Sequence, residues 1–152
     1  MTFDYYVSGL RLHHQVPRFE LEGLKNGQVI TVTLNEWLQT SQRVILIFSG
    51  TLDQGRPLLT EEGFKDTQVA YVSALPISTL KALNLKEGLI LSDASREVLE
   101  SYGAIDERTG AILPSVAIIH TSGELEAYLS TRALDAMDSA SLKALLDRIL
   151  PN

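Results

Sequence analysis

Paired histidines are the first residues to consider for chemistry, because imidazole is the commonest metal ligand in proteins. His13 and His14 stand next to each other in the sequence. Side chains of adjacent residues on a strand point to opposite faces, so the two imidazoles cannot hold one metal ion there. We interpret the pair as part of a solvated N-terminal segment, and the sequence predicts no metal site.

A serine–histidine–acid set is the second candidate, because such a set activates a serine hydroxyl as a nucleophile. It could be assembled from Ser49, His120 and Asp53, but no Gly-x-Ser-x-Gly motif surrounds the serine. Asp53 and Arg56 could instead bind a polar ligand, although such loop residues more often cap a turn and face water. Nucleophilic catalysis is therefore not the favoured interpretation.

Cysteine is absent from all 152 residues. Without a thiol the chain can form no disulfide, offer no thiolate to a metal and carry out no thiolate catalysis. The absence is compatible with a reducing compartment. Gly50 and Gly55 form no phosphate-binding loop, since no Gly-Lys-Ser/Thr follows them. The sequence predicts no bound cofactor.

Composition and charge limit the classes of partner. Hydrophobic residues make up 45% of the chain and charged residues 21%, as in an ordinary globular protein, and the length predicts a single domain over residues 1–152. The formal charge is −6 with both signs interspersed, which argues against nucleic acid or a membrane surface as partner. No apolar run approaches the roughly 20 residues that span a bilayer. Residues 1–16 do not resemble a signal peptide, so we expect a cytoplasmic protein.

Apolar patterns predict the elements that must position these groups. Asn26-Gly27 lies between two alternating runs and predicts a β-hairpin, because both residues tolerate positive φ. Strands are predicted at 19–22, 28–33, 44–48, 68–73, 89–92, 115–120 and 125–129, with Ser122-Gly123 joining the last two. Helices are predicted at 34–38 with Asn35 as candidate N-cap, at 57–64, at 78–85, from an Asp93 N-cap to about Gly103, and between Ser139 and Pro151.

The order of these elements predicts the architecture. After the hairpin, strands are separated by helical segments, which favours βαβ crossovers and a parallel pair of strands. The last two strands add an antiparallel hairpin. We therefore expect an α/β fold with a mixed sheet and helices on both faces.

Several sequence blocks resemble one known family, the peroxiredoxins of the thioredoxin-fold superfamily. Val16-Pro17-Arg18-Phe19-Glu20-Leu21, followed by Asn26-Gly27 and Val32-Thr33-Leu34, resembles the family's opening A-P-x-F-x-L … dG … v-x-L. Leu91-Ser92-Asp93-Ala94, with Val98 and Tyr102-Gly103-Ala104, resembles L-S-D-x … v-x-x-x-Y-G-v, and residues 114–125 resemble P-S/T-x-x-x-I-D-x-x-G-x-I. The resemblance runs from about Val16 to Ile149 and implies a thioredoxin-like α/β fold with an N-terminal hairpin.

The resemblance fails where the family has its catalytic residue. Peroxiredoxins carry P-x-x-x-T-x-x-C after the first core strand, and the cysteine thiolate attacks the peroxide O–O bond. The corresponding stretch here runs from Ser49 to Glu61, and the cysteine position falls near Leu58, which is no nucleophile. The resemblance therefore implies that thiol peroxidase activity is lost.

The resemblance implies a vestigial pocket at the position of the family's active site. Its candidate ligand contacts are Thr51, Asp53, Arg56, Leu58 and Pro114. Members of the superfamily have a cis-proline before the strand that faces this pocket. Leu113-Pro114-Ser115 occupies the matching place, so we expect a cis Leu113–Pro114 bond.

Two functions are compatible with a peroxiredoxin-like chain that lacks cysteine. The first is a binding, scaffold or regulatory module without redox activity, which acts on an unidentified protein partner or small ligand. The second is an enzyme of another, non-thiol class that uses the vestigial cleft. The chain also resembles the thioredoxin-like domains without working cysteines that are fused to flavin monooxygenases as dimerisation domains, which favours the first function.

The resemblance also implies a homodimer. Its two candidate surfaces are the edge strand 125–129 and the loop from Leu52 to Leu59. Strand alternation predicts that Leu125, Ala127 and Leu129 share one face of that edge strand, with Glu126 and Tyr128 on the other.

Overall fold

In the part of the chain that the structure describes, seven strands form one mixed sheet. The computed structural model describes residues 13–48, 66–83, 88–106 and 108–130, together with Ala144 and Arg148. The strands are β1 (Glu20–Lys25), β2 (Gln28–Thr33), β3 (Arg43–Phe48), β4 (Thr67–Ser73), β5 (Leu89–Ser92), β6 (Ser115–His120) and β7 (Leu125–Ser130). Their order across the sheet is β2-β1-β5-β4-β3-β6-β7. The strands β3, β4 and β5 are parallel and the other neighbours antiparallel, which confirms the expected mixed sheet.

Both faces of the sheet are apolar and covered by helices. The described helices are α1 (Leu34–Thr40), α2 (Ile77–Ala82) and α3 (Glu97–Ser101). We call the face that carries Val44, Leu46 and Phe48 of β3 the first face, and the face that carries Ile45 and Ile47 the second face. On the first face the core includes Trp37 of α1 and Leu99 of α3, and on the second it includes Leu80 of α2. The prediction of helices on both faces is confirmed.

The hairpin of β1 and β2 turns at Asn26-Gly27, as predicted. Both residues have positive φ, 52° and 81°, which is typical of a type I′ turn. On its other side β1 pairs with β5, where Gly23 lies opposite Leu91. A Cβ atom on Gly23 would lie 2.8 Å from Cδ2 of Leu91. The hairpin therefore joins the sheet at a position that leaves no room for a side chain.

The N-cap of α1 is Thr33, so the prediction of Asn35 was wrong. The Oγ1 of Thr33 accepts a hydrogen bond from the N–H of Glu36 at 3.3 Å. Strand β2 runs directly into the helix, which makes Thr33 the last extended residue. Leu34 and Trp37 then point into the core.

Helix α3 begins later than the sequence predicts. Its first residue is Glu97, and Arg96 before it has a left-handed φ of 67°. Asp93 nevertheless caps the helix from a distance, because its Oδ2 accepts the N–H of Leu99 at 2.7 Å. The prediction of Asp93 as the N-cap was therefore wrong in position, because the turn through Arg96 makes Arg96 the N-cap, although the side chain of Asp93 still bonds the first turn of the helix.

Helix α3 ends at Ser101, and Gly103 takes the C′ position after it, as predicted. Gly103 has a φ of 70°, and its N–H donates to the carbonyl of Glu100 at 3.0 Å. The N–H of Ala104 donates to the carbonyl of Leu99 at 2.8 Å. These two bonds form a Schellman motif, which needs a left-handed residue at the position of the glycine.

The helices predicted at 57–64 and between Ser139 and Pro151 lie outside the described residues, apart from two positions. Ala144 and Arg148 are helical and exposed. The helix predicted at 78–85 corresponds to α2.

A β-bulge interrupts the pairing of β6 and β7, with a register shift between Ile118 and Ile119. Leu125 and Tyr128 both pack in the core of the first face, whereas Ala127 packs on the second. Tyr128 is only 3% exposed. The predicted alternation along this strand was therefore wrong, because the extra residue of a bulge reverses the direction of the side chains beyond it.

Candidate functional site

The carboxyl ends of β3, β4 and β5 meet at one edge of the sheet, which is where α/β folds commonly bind ligands. We call it the carboxyl edge. Strand β3 ends there at Phe48, opposite Ser115 at the start of β6. Of the residues expected in the vestigial pocket, Pro114 lies at this edge. The other four, Thr51, Asp53, Arg56 and Leu58, lie outside the described residues.

The serine hydroxyls at the carboxyl edge are held in local hydrogen bonds. The Oγ of Ser73 accepts the N–H of Leu75 at 3.0 Å, and the Oγ of Ser92 donates to the carbonyl of Leu75 at 2.8 Å. The Oγ of Ser115 donates to the carbonyl of Leu113 at 3.0 Å. Within the described ranges none of these hydroxyls bonds an imidazole or a carboxylate, so they lack the base that would activate a nucleophile.

Asp93 is the buried acid of the carboxyl edge, with 1% of its surface exposed. Its N–H donates to the carbonyl of Ser73 at 2.7 Å. Its carboxylate accepts the N–H of Leu99 at 2.7 Å and the hydroxyl of Ser95 at 3.4 Å. These bonds satisfy the buried carboxylate as a helix cap. The role of Asp93 in the described structure is therefore architectural.

The peptide bond between Leu113 and Pro114 is trans, and no cis bond occurs among the described residues. The prediction of a cis-proline is wrong. Trans is the lower-energy isomer of an X–Pro bond, and the backbone is satisfied in that form. The N–H of Leu113 donates to the carbonyl of Ala104 at 2.7 Å, and the chain then enters β6 through a buried Pro114.

An aromatic cluster occupies the first face next to the carboxyl edge. The rings of Phe48 and Tyr102 lie 5.6 Å apart, measured between centroids. Phe19 packs edge-on against Tyr102 at 6.3 Å and against Trp37 at 6.4 Å. Trp37 is therefore a core residue.

The hydroxyl of Tyr102 anchors the segment that precedes β1. It donates a hydrogen bond to the carbonyl of Pro17 at 2.7 Å. Burial raises the pKa of Tyr102 well above its ordinary value, and the nearby positive charge of Arg18 lowers it in part. Tyr102 therefore remains a protonated donor near neutral pH.

His120, Ser122 and Glu124 come together in the turn between β6 and β7. The Nδ1 of His120 lies 3.0 Å from the Oγ of Ser122, which lies 3.2 Å from the Oε1 of Glu124. In a catalytic triad the histidine lies between the serine and the acid, whereas here the serine is in the middle. The N–H groups of Ser122 and Glu124 also bond these side chains, at 3.1 and 3.3 Å. The contacts therefore close a turn. The other two members of the candidate triad that the sequence did not favour, Ser49 and Asp53, lie outside the described residues.

His13 and His14 are exposed and make their described contacts through the backbone. The N–H of His13 donates to the carbonyl of Leu125 at 2.8 Å, and the N–H of Leu125 donates to the carbonyl of His14 at 3.0 Å. The segment thus pairs with the start of β7. No group of three His, Cys, Asp or Glu side chains that could hold a metal occurs in the described ranges. Across the same ranges, no helix has the length and apolar character needed to cross a membrane.

A cleft of about 710 Å³ opens between the hairpin and the start of α2. Its walls are Glu20, Leu21, Glu22 and Thr31 of the hairpin, Pro76 and Ile77, and residues 92–95 after β5. Glu20 and Glu22 give it two exposed carboxylates, whereas the carboxylate of Asp93 is buried, and no described Lys, Arg or His lines it. The sequence does not mark this cleft, apart from the strand alternation that places Glu20 and Glu22 on one face.

The strand order and the helices on both faces define a thioredoxin-like α/β fold of the peroxiredoxin type. Solved structures of peroxiredoxins share it. AhpC of Mycobacterium tuberculosis matches with a TM-score of 0.73 and 19% sequence identity, over 91% of this chain and 97% of that chain. AhpC of Enterococcus faecalis matches with a TM-score of 0.73 and 16% identity, over 90% of each chain. The mitochondrial 2-Cys peroxiredoxin of Plasmodium falciparum matches with a TM-score of 0.71 and 16% identity, over 91% of this chain and 93% of that chain.

The likeness is one of fold. No protein-family model and no curated protein matches the sequence. The chain therefore has the fold of the peroxiredoxins but lacks the cysteine on which their chemistry depends.

Proposed function

We propose that this chain is a peroxiredoxin-like protein without redox activity that works by binding, as an interaction, scaffold or regulatory module of the cytoplasm. One observation carries the proposal: a peroxiredoxin fold over 91% of the chain, in a sequence that has no cysteine. Peroxide reduction by this fold needs a thiolate. Thr51, Asp53, Arg56, Leu58 and Pro114 remain the candidate contacts for a ligand at the vestigial pocket.

The carboxyl edge supports binding over catalysis of another class. Its described serines and Asp93 are used in hydrogen bonds that end strands or cap α3. Such groups position the chain and do not supply a nucleophile together with a base.

A peroxidase assay tests the redox part of the proposal. The purified chain is given hydrogen peroxide with a thioredoxin or a glutathione recycling system, and a cysteine-containing peroxiredoxin that the same system reduces serves as the active control. We expect no consumption above the blank. Turnover of peroxide in proportion to the amount of this chain would contradict the proposal.

The proposal includes a homodimer, formed through β7 or through the loop from Leu52 to Leu59. Strand β7 is at an edge of the described sheet, and unpaired edges favour association with another strand. The backbone of Leu125 is already paired with His13 and His14, so an interface on β7 would use the strand beyond Leu125.

Light scattering at micromolar concentration tests the dimer, with an expected mass of about twice 16.7 kDa. A monomer mass would remove this part of the proposal. Leu58→Glu tests the loop surface. Tyr128→Glu cannot test β7, because Tyr128 is in the core. Hydrogen exchange of residues 126–130 in concentrated and dilute protein tests β7 instead, and protection only in the concentrated sample is the expected sign of a β7 interface.

A further inference from the structure

Strand β2 presents an unprotected edge. It is the outermost strand opposite β7, and in the described part of the chain no strand pairs with its outer side. Natural proteins protect such edges with charges, proline or bulges. The sequence of β2, Gln-Val-Ile-Thr-Val-Thr, has no charge and no proline, and all six of its residues pair in register with β1. Val29 on this strand is 41% exposed.

We propose that the outer edge of β2 docks an extended, basic segment of a partner protein as an additional strand. The inference rests on the proposed function and specifies the chemistry of the partner. Main-chain hydrogen bonds to a sheet edge supply affinity, and the side chains on alternate positions supply specificity.

The charge of the partner follows from the neighbouring strand. Glu22 lies opposite Thr31 and Glu20 lies opposite Thr33. Both glutamates are exposed, and neither forms an ion pair among the described residues. They lie on the second face, because Glu20, Glu22 and Leu24 are alternate residues of β1 and Leu24 packs in the core of that face.

The geometry allows a long cationic side chain to reach them. A strand added beside β2 would lie two strand spacings, about 10 Å, from β1. The side chains between are the short ones of Thr31 and Thr33. Lysine and arginine have stems long enough to extend over such residues while the charged group stays in water. Alternate basic residues of the partner would therefore approach Glu20 and Glu22 on the second face.

The same carboxylates disfavour a second copy of this chain as the occupant. If two copies paired through β2, their sheets would become continuous and would carry Glu20 and Glu22 of both copies. Strand β2 has no cationic side chain to offset these negative charges. The chain also has a formal charge of −6, and like charges oppose such an association.

The other face of β2 indicates the remaining positions of the partner. Val32 is buried in the core of the first face, and Ile30 packs against that core. An added strand would place its alternate residues beside them, where apolar side chains extend the same surface. The segment that fits therefore alternates basic and apolar residues.

A titration of the full-length, ¹⁵N-labelled chain tests the proposal by NMR. The probe is the peptide acetyl-Lys-Val-Lys-Val-Lys-Val-amide, and we expect saturable shifts centred on the amides of residues 28–33. The matched peptide acetyl-Glu-Val-Glu-Val-Glu-Val-amide should bind at least tenfold more weakly. A Lys-Val peptide with N-methyl groups on every amide should lose binding, because neither of its edges can donate main-chain hydrogen bonds to β2.

The double variant E20Q/E22Q tests the carboxylates. We expect it to weaken binding of the Lys-Val peptide roughly 2- to 30-fold, the range for two exposed ion pairs. The double variant E97Q/E100Q, which changes exposed glutamates of α3 on the first face, should bind like the unchanged chain.

Three outcomes would overturn the proposal: absent or displaced shifts, equal binding of the Glu-Val peptide, or equal binding of the N-methylated peptide. The proposal would also be overturned if the β2 amides shifted when the chain is concentrated without peptide and if E20Q/E22Q increased these shifts. That result would place a second copy of the chain on this edge. None of these outcomes alters the peroxide assay, which tests the loss of redox activity separately.

Discussion

The carboxylate of Asp93 and the amide of Leu99 are joined by a hydrogen bond of 2.7 Å that spans six residues. Between them the chain turns through Arg96, whose φ is 67°. The bond therefore links the end of β5 to the first turn of α3 across an irregular segment. Because the carboxylate is buried, its loss leaves an amide without a partner where water has little access.

We expect Asp93→Ala to lower the free energy of unfolding by about 1–3 kcal/mol. Asp93→Asn should cost less, since an amide oxygen can still accept the bond. Urea unfolding followed by the fluorescence of Trp37 measures both. Ser95→Ala is the control, because it removes only the 3.4 Å contact to Asp93 and the 3.3 Å bond from Glu97. An Asp93→Ala protein as stable as the unchanged chain would refute the role of the cap.

Tyr102→Phe removes the donor that binds the carbonyl of Pro17 and keeps the ring. We expect a loss of about 0.5–1.5 kcal/mol near neutral pH. Since the pKa of Tyr102 is raised in the folded state, its neutral phenol contributes stability below the ordinary value of 10.0, and this contribution is lost as the pH rises above it. The free energy of unfolding of Tyr102→Phe should therefore fall less steeply with rising pH than that of the unchanged chain. Identical alkaline unfolding curves would contradict this.

Gly23→Ala tests the contact between the hairpin and β5. The added Cβ would lie 2.8 Å from Cδ2 of Leu91 and 2.9 Å from the carbonyl oxygen of Ile90. The backbone oxygen cannot move aside without loss of pairing, so we expect a destabilisation of about 1–3 kcal/mol. Glu22→Ala on the same strand is the control and should change stability by less. Thermal unfolding compares the two, and equal midpoints would show that β1 shifts freely on β5.

Asp106 provides a prediction for acid pH. The N–H of Arg108 donates to its Oδ1 at 2.8 Å, and this bond is the main reason that the pKa of Asp106 lies below its ordinary value. A lowered pKa in the folded state means a contribution to stability that is present above the pKa of the unfolded chain and lost as the pH falls below it. Asp106→Asn should reduce the loss of stability with acid. A ¹³C NMR titration that places the carboxyl pKa at or above its ordinary value would contradict this.

The strands were predictable because their signals are local. Asn26-Gly27 favours a tight hairpin turn because both residues tolerate positive φ, and the apolar run 44–48 is what a strand buried on both faces requires. The bulge in the last hairpin and the left-handed Arg96 were not predictable. Neither residue types nor spacing mark them, because they arise from how neighbouring elements must fit.

The candidate site was less predictable than the fold for a similar reason. The sequence indicated the loop after β3, which lies outside the described residues, and a proline isomer that the structure contradicts. The acidic cleft is built from the hairpin, the start of α2 and residues 92–95. These segments are far apart in the chain, so only the pairing of β1 with β5 shows that they meet.

The pairing of the N-terminal segment with β7 has a consequence for the order of folding. Gln15 donates a side-chain hydrogen bond to the carbonyl of Ser122, across 107 positions of the sequence. During synthesis the partners of residues 13–16 are therefore made long after those residues leave the ribosome. Contacts of such long range slow folding, because loop closure must precede them. The first described residues of the chain thus acquire their native hydrogen bonds only when the hairpin of β6 and β7 exists, and the segment is among the last parts of the sheet to form.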